Sequence, residues 1–174
     1  VLLRKPRSYA EVYNDLDGEI VNLFRMARDR GDELVAALEL TPFSRNEFFS
    51  CYEPTADNLD QARRTIARSF MGFGSSAASG NKTGFRSNSN RSGTTPAQDW
   101  RNFPGCLVAI IERLRGVVIE NRDALAVMSN HDAESALHYC DPPYVHDTRG
   151  NGNPYCKKGY KFEMKDDDHR AFAQ

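Results

Sequence analysis

The sequence predicts an α/β fold with parallel strands, interrupted by a helical and loop insert. Three observations predict it. Residues 10–14, "AEVYN", alternate like a strand, and from Gly18 the apolar residues Ile20, Val21, Leu23, Phe24 and Met26 take up a helical rhythm. "GVVIENRD" is a β-branched run set between two helical patterns. Asp15, Asp123 and Asp141 each stand at an expected strand end, the edge at which open α/β sheets hold their ligands.

Taken in order, a strand ends near Asn14–Asp15 and a helix starts near Asp17. "RDRGDELVAAL" reads as a break and a second helix, and "RNEFFSCYEP" as a short third, stopped by Pro54. "DNLDQARRTIARSFMGF" is a strong helix, capped by Asp57 or Asn58, with Ala62, Ile66 and Phe70 on one face. Residues 72–99 are rich in Gly, Ser, Asn and Thr, the composition of a long loop. "FPGCLVAIIERLRG" predicts a helix from Pro104, "GVVIENRD" a strand, "ALAVMSN" a short helix, and "SALHYCD" the strand that delivers Asp141. Trp100, Phe70, Phe103 and the aliphatic residues of 107–111 are expected in the core. The stretch "DDDHRAFAQ" opens a helix with acids at its N-terminus. Both ends look cut, so the chain reads as a fragment of a longer protein. Residues 72–99 and 145–160 are expected to be unordered without a partner.

The composition is that of one globular domain: 174 residues, 40% hydrophobic and 27% charged. No apolar run approaches the roughly eighteen residues of a membrane span, and no secretory leader is visible. The four cysteines are scattered without a CxxC pair, which fits a reduced, cytoplasmic setting. The net charge of −1 hides a pattern. Residues 1–59 hold seven Lys/Arg against eleven Asp/Glu, residues 60–101 seven against two, and residues 102–174 nine against eleven. A basic middle between acidic ends suggests a surface that faces a polyanion; a solvated loop with incidental charge is the plainer alternative.

The most specific stretch is "YCDPPYVHDT". Two prolines break any ladder or helix at Asp141. A tetrapeptide such as Asp141-Pro142-Pro143-Tyr144 arises by chance in a chain of this length about once in a thousand. It is either a proline-fixed turn with a packing tyrosine or a site. His131, Asp132, His138, Cys140, Asp141, His146 and Asp147 are dense in potential ligands, but they lack regular zinc spacing, so no metal site is predicted.

"DPPY" at a strand end resembles the signature of amino-group methyltransferases that use S-adenosylmethionine. With "EVYNDLDGEIVNLFR", "RSFMGFGSSAASG", "VVIENRDAL" and "YKFEMKDDDHRAFA", most of the chain resembles the Dam-like adenine-specific DNA methyltransferases. That family's glycine-rich turn would lie just before "VLLRKP", and its final strands after "DHRAFA"; neither is in this sequence. The resemblance implies an incomplete Rossmann-like S-adenosylmethionine-dependent methyltransferase sheet carrying a mainly helical target-recognition insert. Residues 1–40 and 105–174 would form the catalytic part and residues 41–104 the insert. It implies methyl transfer to the 6-amino group of a flipped adenine in double-stranded DNA, by a cytoplasmic monomer of bacterial or phage origin.

On that reading the Asp141 carboxylate and the Pro142 carbonyl accept the two amino N–H groups. Pro142 and Pro143 stiffen the turn, and Tyr144 stacks on the base. By the same resemblance Asp15 matches the ribose-binding acid and Asp123 the acid near the cofactor adenine, although Asn14, Asp15, Asp17 and Asp123 are also good helix caps. Arg63, Arg64, Arg68, Lys82, Arg86 and Arg91 are the candidate DNA contacts. The alternatives are a non-catalytic DNA-binding fragment, or methylation of cytosine, RNA adenine or a protein glutamine; Asp141 favours adenine.

Overall fold

The computed structural model describes residues 1–73, 82–88, 93–145, 148 and 160–173. Two short strands, β1 (Val12–Asn14) and β2 (Val118–Glu120), pair in parallel with Val12 opposite Val118, Tyr13 opposite Ile119 and Asn14 opposite Glu120. Parallel strands need a crossover. Among the described residues it holds five helices: α1 (Gly18–Asp29), α2 (Gly31–Glu39), α3 (Arg45–Ser50), α4 (Asn58–Met71) and α5 (Pro96–Leu114). Helix α6 (Ala124–Asn130) follows β2, and α7 (Asp166–Phe172) closes the described chain. The architecture is α/β, dominated by helices around a small parallel sheet.

Local chemistry sets most boundaries. Asp17, Ser44 and Asp57 cap α1, α3 and α4, accepting from the backbone N–H groups of Glu19, Glu47 and Leu59. Each cap satisfies a donor that the helix itself leaves free, worth about 1 kcal/mol. Between α1 and α2 the chain turns at Arg30. A Cβ on Gly31 would lie 2.6 Å from Ile111 Cγ2, so glycine lets the start of α2 close onto α5.

The core lies among the crossover helices. Leu34 and Leu38 of α2, Phe48 of α3 and its C-cap Cys51, Ala62, Ala67 and Met71 of α4, and Trp100, Leu107, Ile111 and Leu114 of α5 form one buried cluster. It draws on residues from both sides of the expected divisions at 40 and 104. The Trp100 indole N–H donates to the Thr41 carbonyl at 2.8 Å, which gives the one polar atom of that ring a partner. Burial pushes the Cys51 thiol up to about 11, as for a cysteine that serves packing. Val108 lies outside the core and is exposed, unlike its expected place among the buried aliphatics.

Two expectations need correction. Helix α5 begins at Pro96, not Pro104. Thr95 and Gln98 form a reciprocal capping box, and Pro96 sits at the first helical position. Pro104 is buried inside the helix, where it has no N–H to give the Trp100 carbonyl. Residues 96–99, read as the end of a loop, are therefore helical. The second correction concerns "SALHYCD". Residues 136–145 form no strand, and Leu137 and Tyr139 are 84% and 68% exposed. A strand is stabilised by a ladder and a covered face; among the described residues this segment has no pairing strand.

Glu11 fastens the N-terminal arm to the end of α5. Arg113 grips its carboxylate bidentately, with both contacts at 2.7 Å, Lys5 pairs with it, and the Ser8 N–H donates to it at 3.2 Å. Chiefly through Arg113, then Lys5, its carboxyl is held down at about 2 against an ordinary 4.5. A depressed carboxylate stabilises the fold above its unfolded-state value, and that stability is lost as pH falls through the folded value. Glu11→Gln is accordingly expected to be less stable than wild type at pH 6, with the gap closing between about pH 4.5 and 2. Urea midpoints across that range check it; a gap independent of pH would contradict the assignment.

Candidate functional site

The carboxyl ends of β1 and β2 lie side by side and are tied together by side chains. The Asn14 carboxamide donates to the Arg122 carbonyl at 2.9 Å and accepts from the Arg122 N–H at 3.0 Å. Asn121 Nδ2 donates to the Asp15 carbonyl at 2.7 Å. The Asp15 carboxylate is half-buried and fixed at both oxygens: Oδ2 accepts from the Tyr13 hydroxyl at 3.1 Å, and Oδ1 from the Asp17 N–H at 2.8 Å. Tyr13 is itself held by stacking on Phe24, with centroids 4.1 Å apart. Burial first, then the charge of Asp15, raises its phenol far above the ordinary tyrosine range, so it stays a donor.

The cap of α1 is thus Asp17 rather than Asp15. Asp17 is buried, and Lys161 Nζ reaches it at 2.9 Å from beyond residue 159. An ionised carboxylate oxygen can accept two hydrogen bonds. Each oxygen of Asp15 receives one from the described residues, which leaves two acceptor positions, the number a vicinal diol uses. Acceptors of this kind could hold the ribose hydroxyls of a nucleoside cofactor. Asp123 does cap a helix: its Oδ1 accepts from the Ala126 N–H at 3.0 Å at the start of α6. It is exposed, with its second oxygen outside that bond.

Asp141 and Tyr144 are exposed, and Pro142 and Pro143 half-buried. The segment is attached to α6 through Cys140 Sγ, 3.9 Å from Met128 Sδ. Since Asp123 caps the same helix, α6 connects the two acids physically. The Asp141 carboxylate has no hydrogen-bond or ion-pair partner among the described residues.

The insert arginines divide into two groups. Arg63 donates to Asp60 at 2.9 Å, to Glu47 at 2.5 Å and to Thr41. Arg64 donates to Asp60 at 2.7 Å and to the carbonyls of Ser50 and Glu53 at the end of α3. Arg68 pairs with Glu19 of α1 at 2.6 Å and lies over the Tyr52 ring. These three guanidiniums bind α4 to α1 and α3, a structural use that the sequence reading did not assign. Lys82 and Arg86 differ. Lys82 is exposed above the Tyr52 ring at 5.3 Å, and Arg86 lies over Phe70 at 5.9 Å. Arg45, absent from the expected set, joins them over Phe85 at 5.2 Å.

An antiparallel bridge between Gly72 and Phe85 pins the 82–88 segment to the end of α4. That part of the expected unordered loop has a defined place. Residues 74–81, 89–92, 146–147 and 149–159 lie outside the described residues, Arg91 among them. Beside Arg86 a shallow cavity of about 450 Å³ is lined by Phe70, Asp99, Asn102, Phe103 and Cys106.

Tyr13, Asn121 and Lys161 were not singled out in the sequence, and Asn14 only as a possible cap. Among the described residues no helix is long and apolar enough to cross a membrane. No curated protein is similar enough to match the chain. The family model described as D12 class N6 adenine-specific DNA methyltransferase matches residues 1–172. With that match covering the paired strand ends, the basic insert and Asp141–Tyr144 alike, the chain belongs to the D12 class N6 adenine-specific DNA methyltransferase family.

Proposed function

We propose that the protein transfers a methyl group from S-adenosylmethionine to the exocyclic 6-amino group of an adenine swung out of duplex DNA, on a Rossmann-like methyltransferase sheet. The observation that carries this reading is an exposed Asp141, with no partner among the described residues, within Asp-Pro-Pro-Tyr in a chain matched to an adenine-methylating family over residues 1–172.

The 6-amino group is a weak nucleophile because its lone pair is delocalised into the ring. The Asp141 carboxylate and the Pro142 carbonyl accept its two N–H groups and hold the nitrogen as it becomes tetrahedral, an interaction that strengthens towards the transition state. Proline fixes the backbone at the second acceptor and limits the entropy lost on binding. In that arrangement the Asp141 carboxylate is also the acceptor for the proton that the methylated nitrogen sheds. Tyr144 offers a ring to replace the stacking lost on base flipping, worth about 1–3 kcal/mol. When bound, S-adenosylmethionine supplies an electrophilic methyl group on a sulfonium sulfur; Asp15 would hold its ribose hydroxyls and Asp123 would lie by its adenine. Lys82, Arg86 and Arg91 are the proposed phosphate contacts. Arg63, Arg64 and Arg68 serve the packing that supports them.

Labelled-methyl transfer offered in parallel to unmethylated duplex DNA, RNA and bulk protein tests this. Label on adenine in the DNA is expected. Label confined to cytosine, RNA or protein contradicts it, and salt-dependent DNA binding with no label on any acceptor favours a binding module.

A further inference from the structure

At the carboxyl ends of β1 and β2, Asn14 and Asn121 each bond the backbone of the opposite strand. Asn14 is the last residue of β1, and its carboxamide meets both the N–H and the C=O of Arg122, one residue before Asp123. Asn121 answers from the other strand by donating to the carbonyl of Asp15 itself. A 3.4 Å contact from the Asp15 N–H to the Glu120 carbonyl completes the set. A solvent-facing asparagine at a strand end can be satisfied by water; here each amide engages backbone at or beside the acid of the opposite strand.

We propose that Asn14 and Asn121 are positioning residues that fix the spacing of Asp15 and Asp123. The inference rests on the cofactor reading of those two acids. A carboxamide suits the task because it presents a donor and an acceptor in one plane, which a peptide group complements. An isosteric carboxylate at position 14 would keep the bond from the Arg122 N–H and set a negative oxygen against the Arg122 carbonyl. A binding constellation needs its groups held within about 0.5 Å, and two three-residue strands supply few ladder bonds to do this alone.

The test uses full-length protein in three forms: wild type, Asn14→Asp and Asp15→Ala. S-adenosylhomocysteine affinity is measured by calorimetry, and hydrogen exchange is followed at the amides of Asp15, Arg122 and α4. We expect Asp15→Ala to weaken binding by more than tenfold. Asn14→Asp should weaken it about three- to tenfold, in line with the loss of one net hydrogen bond. Exchange at the Asp15 amide, whose N–H reaches the Glu120 carbonyl across the sheet at 3.4 Å, should quicken in Asn14→Asp while α4 is unchanged, which separates a local clamp from general loosening. If Asp15→Ala weakens binding and Asn14→Asp binds like wild type, the positioning role is overturned and the cofactor reading stands. If Asp15→Ala binds like wild type, both fall. Should Asn14→Asp fail to fold, Asn121→Ala, at an exposed position, gives the same readouts with the same consequences.

Discussion

Asp141→Ala is expected to lower kcat for adenine methylation by about 10²–10³, the usual cost of deleting one preorganised group that stabilises the transition state. The carboxylate is exposed and has no partner among the described residues, so its removal leaves no buried group unsatisfied and opens no cavity. Stability should stay within about 0.5 kcal/mol of wild type, as for most surface changes. Affinity for DNA should hold as well, because the proposed phosphate contacts lie in the insert. Lost turnover with intact folding and binding is the signature of an acceptor aimed at the reacting amine. A variant that loses stability in step with activity would instead make Asp141 a turn residue.

Phe48→Ala is expected to cost about 3–5 kcal/mol in stability, the range for truncating a buried aromatic. Phe48 is wholly buried and sits beneath the basic face of the insert. Its ring lies against Tyr52 at 5.3 Å and Phe85 at 5.9 Å, and those two rings carry Lys82, Arg68 and Arg45. Removing it opens a void under the Gly72–Phe85 bridge and frees the 82–88 segment. Chemical denaturation gives the first number. Salt-dependent DNA affinity, measured well below the new midpoint, gives the second, and it should weaken although no cation has been removed. A stable variant with unchanged affinity would mean that the basic segment is held by something else.

The elements with local causes were legible in the sequence. The change of period at Gly18, the Asp57 cap and the β-branched "VVIE" run each produce the expected element, because period, cap and β-branching act within a few residues. The failures come from interactions that are not local. A helix start at Pro104 is expected from the sequence, but Thr95 and Gln98 start that helix eight residues earlier, at Pro96, and Pro104 is buried within it. "SALHYCD" has strand composition, yet a strand needs a partner, and composition cannot name one. Arg63, Arg64 and Arg68 carry the charge of a DNA-binding helix. Only the fold shows Glu47, Glu19 and the α3 carbonyls arriving to meet them. At the candidate site, the place of Asp15 just after a strand is readable from the sequence. The Asn14 and Asn121 clamp is not, since its partners lie more than a hundred residues away in the chain.

The most direct measurement of the central claim is the identity of the methylated nucleoside. Unmethylated duplex DNA is treated with S-adenosylmethionine and either wild-type protein or Asp141→Ala, digested to nucleosides and analysed by mass spectrometry. N6-methyladenosine as its deoxynucleoside, formed by the wild type and reduced at least a hundredfold in initial rate by the variant, is the predicted result. A methylated cytosine product, or methyladenine formed equally fast by both proteins, would contradict it.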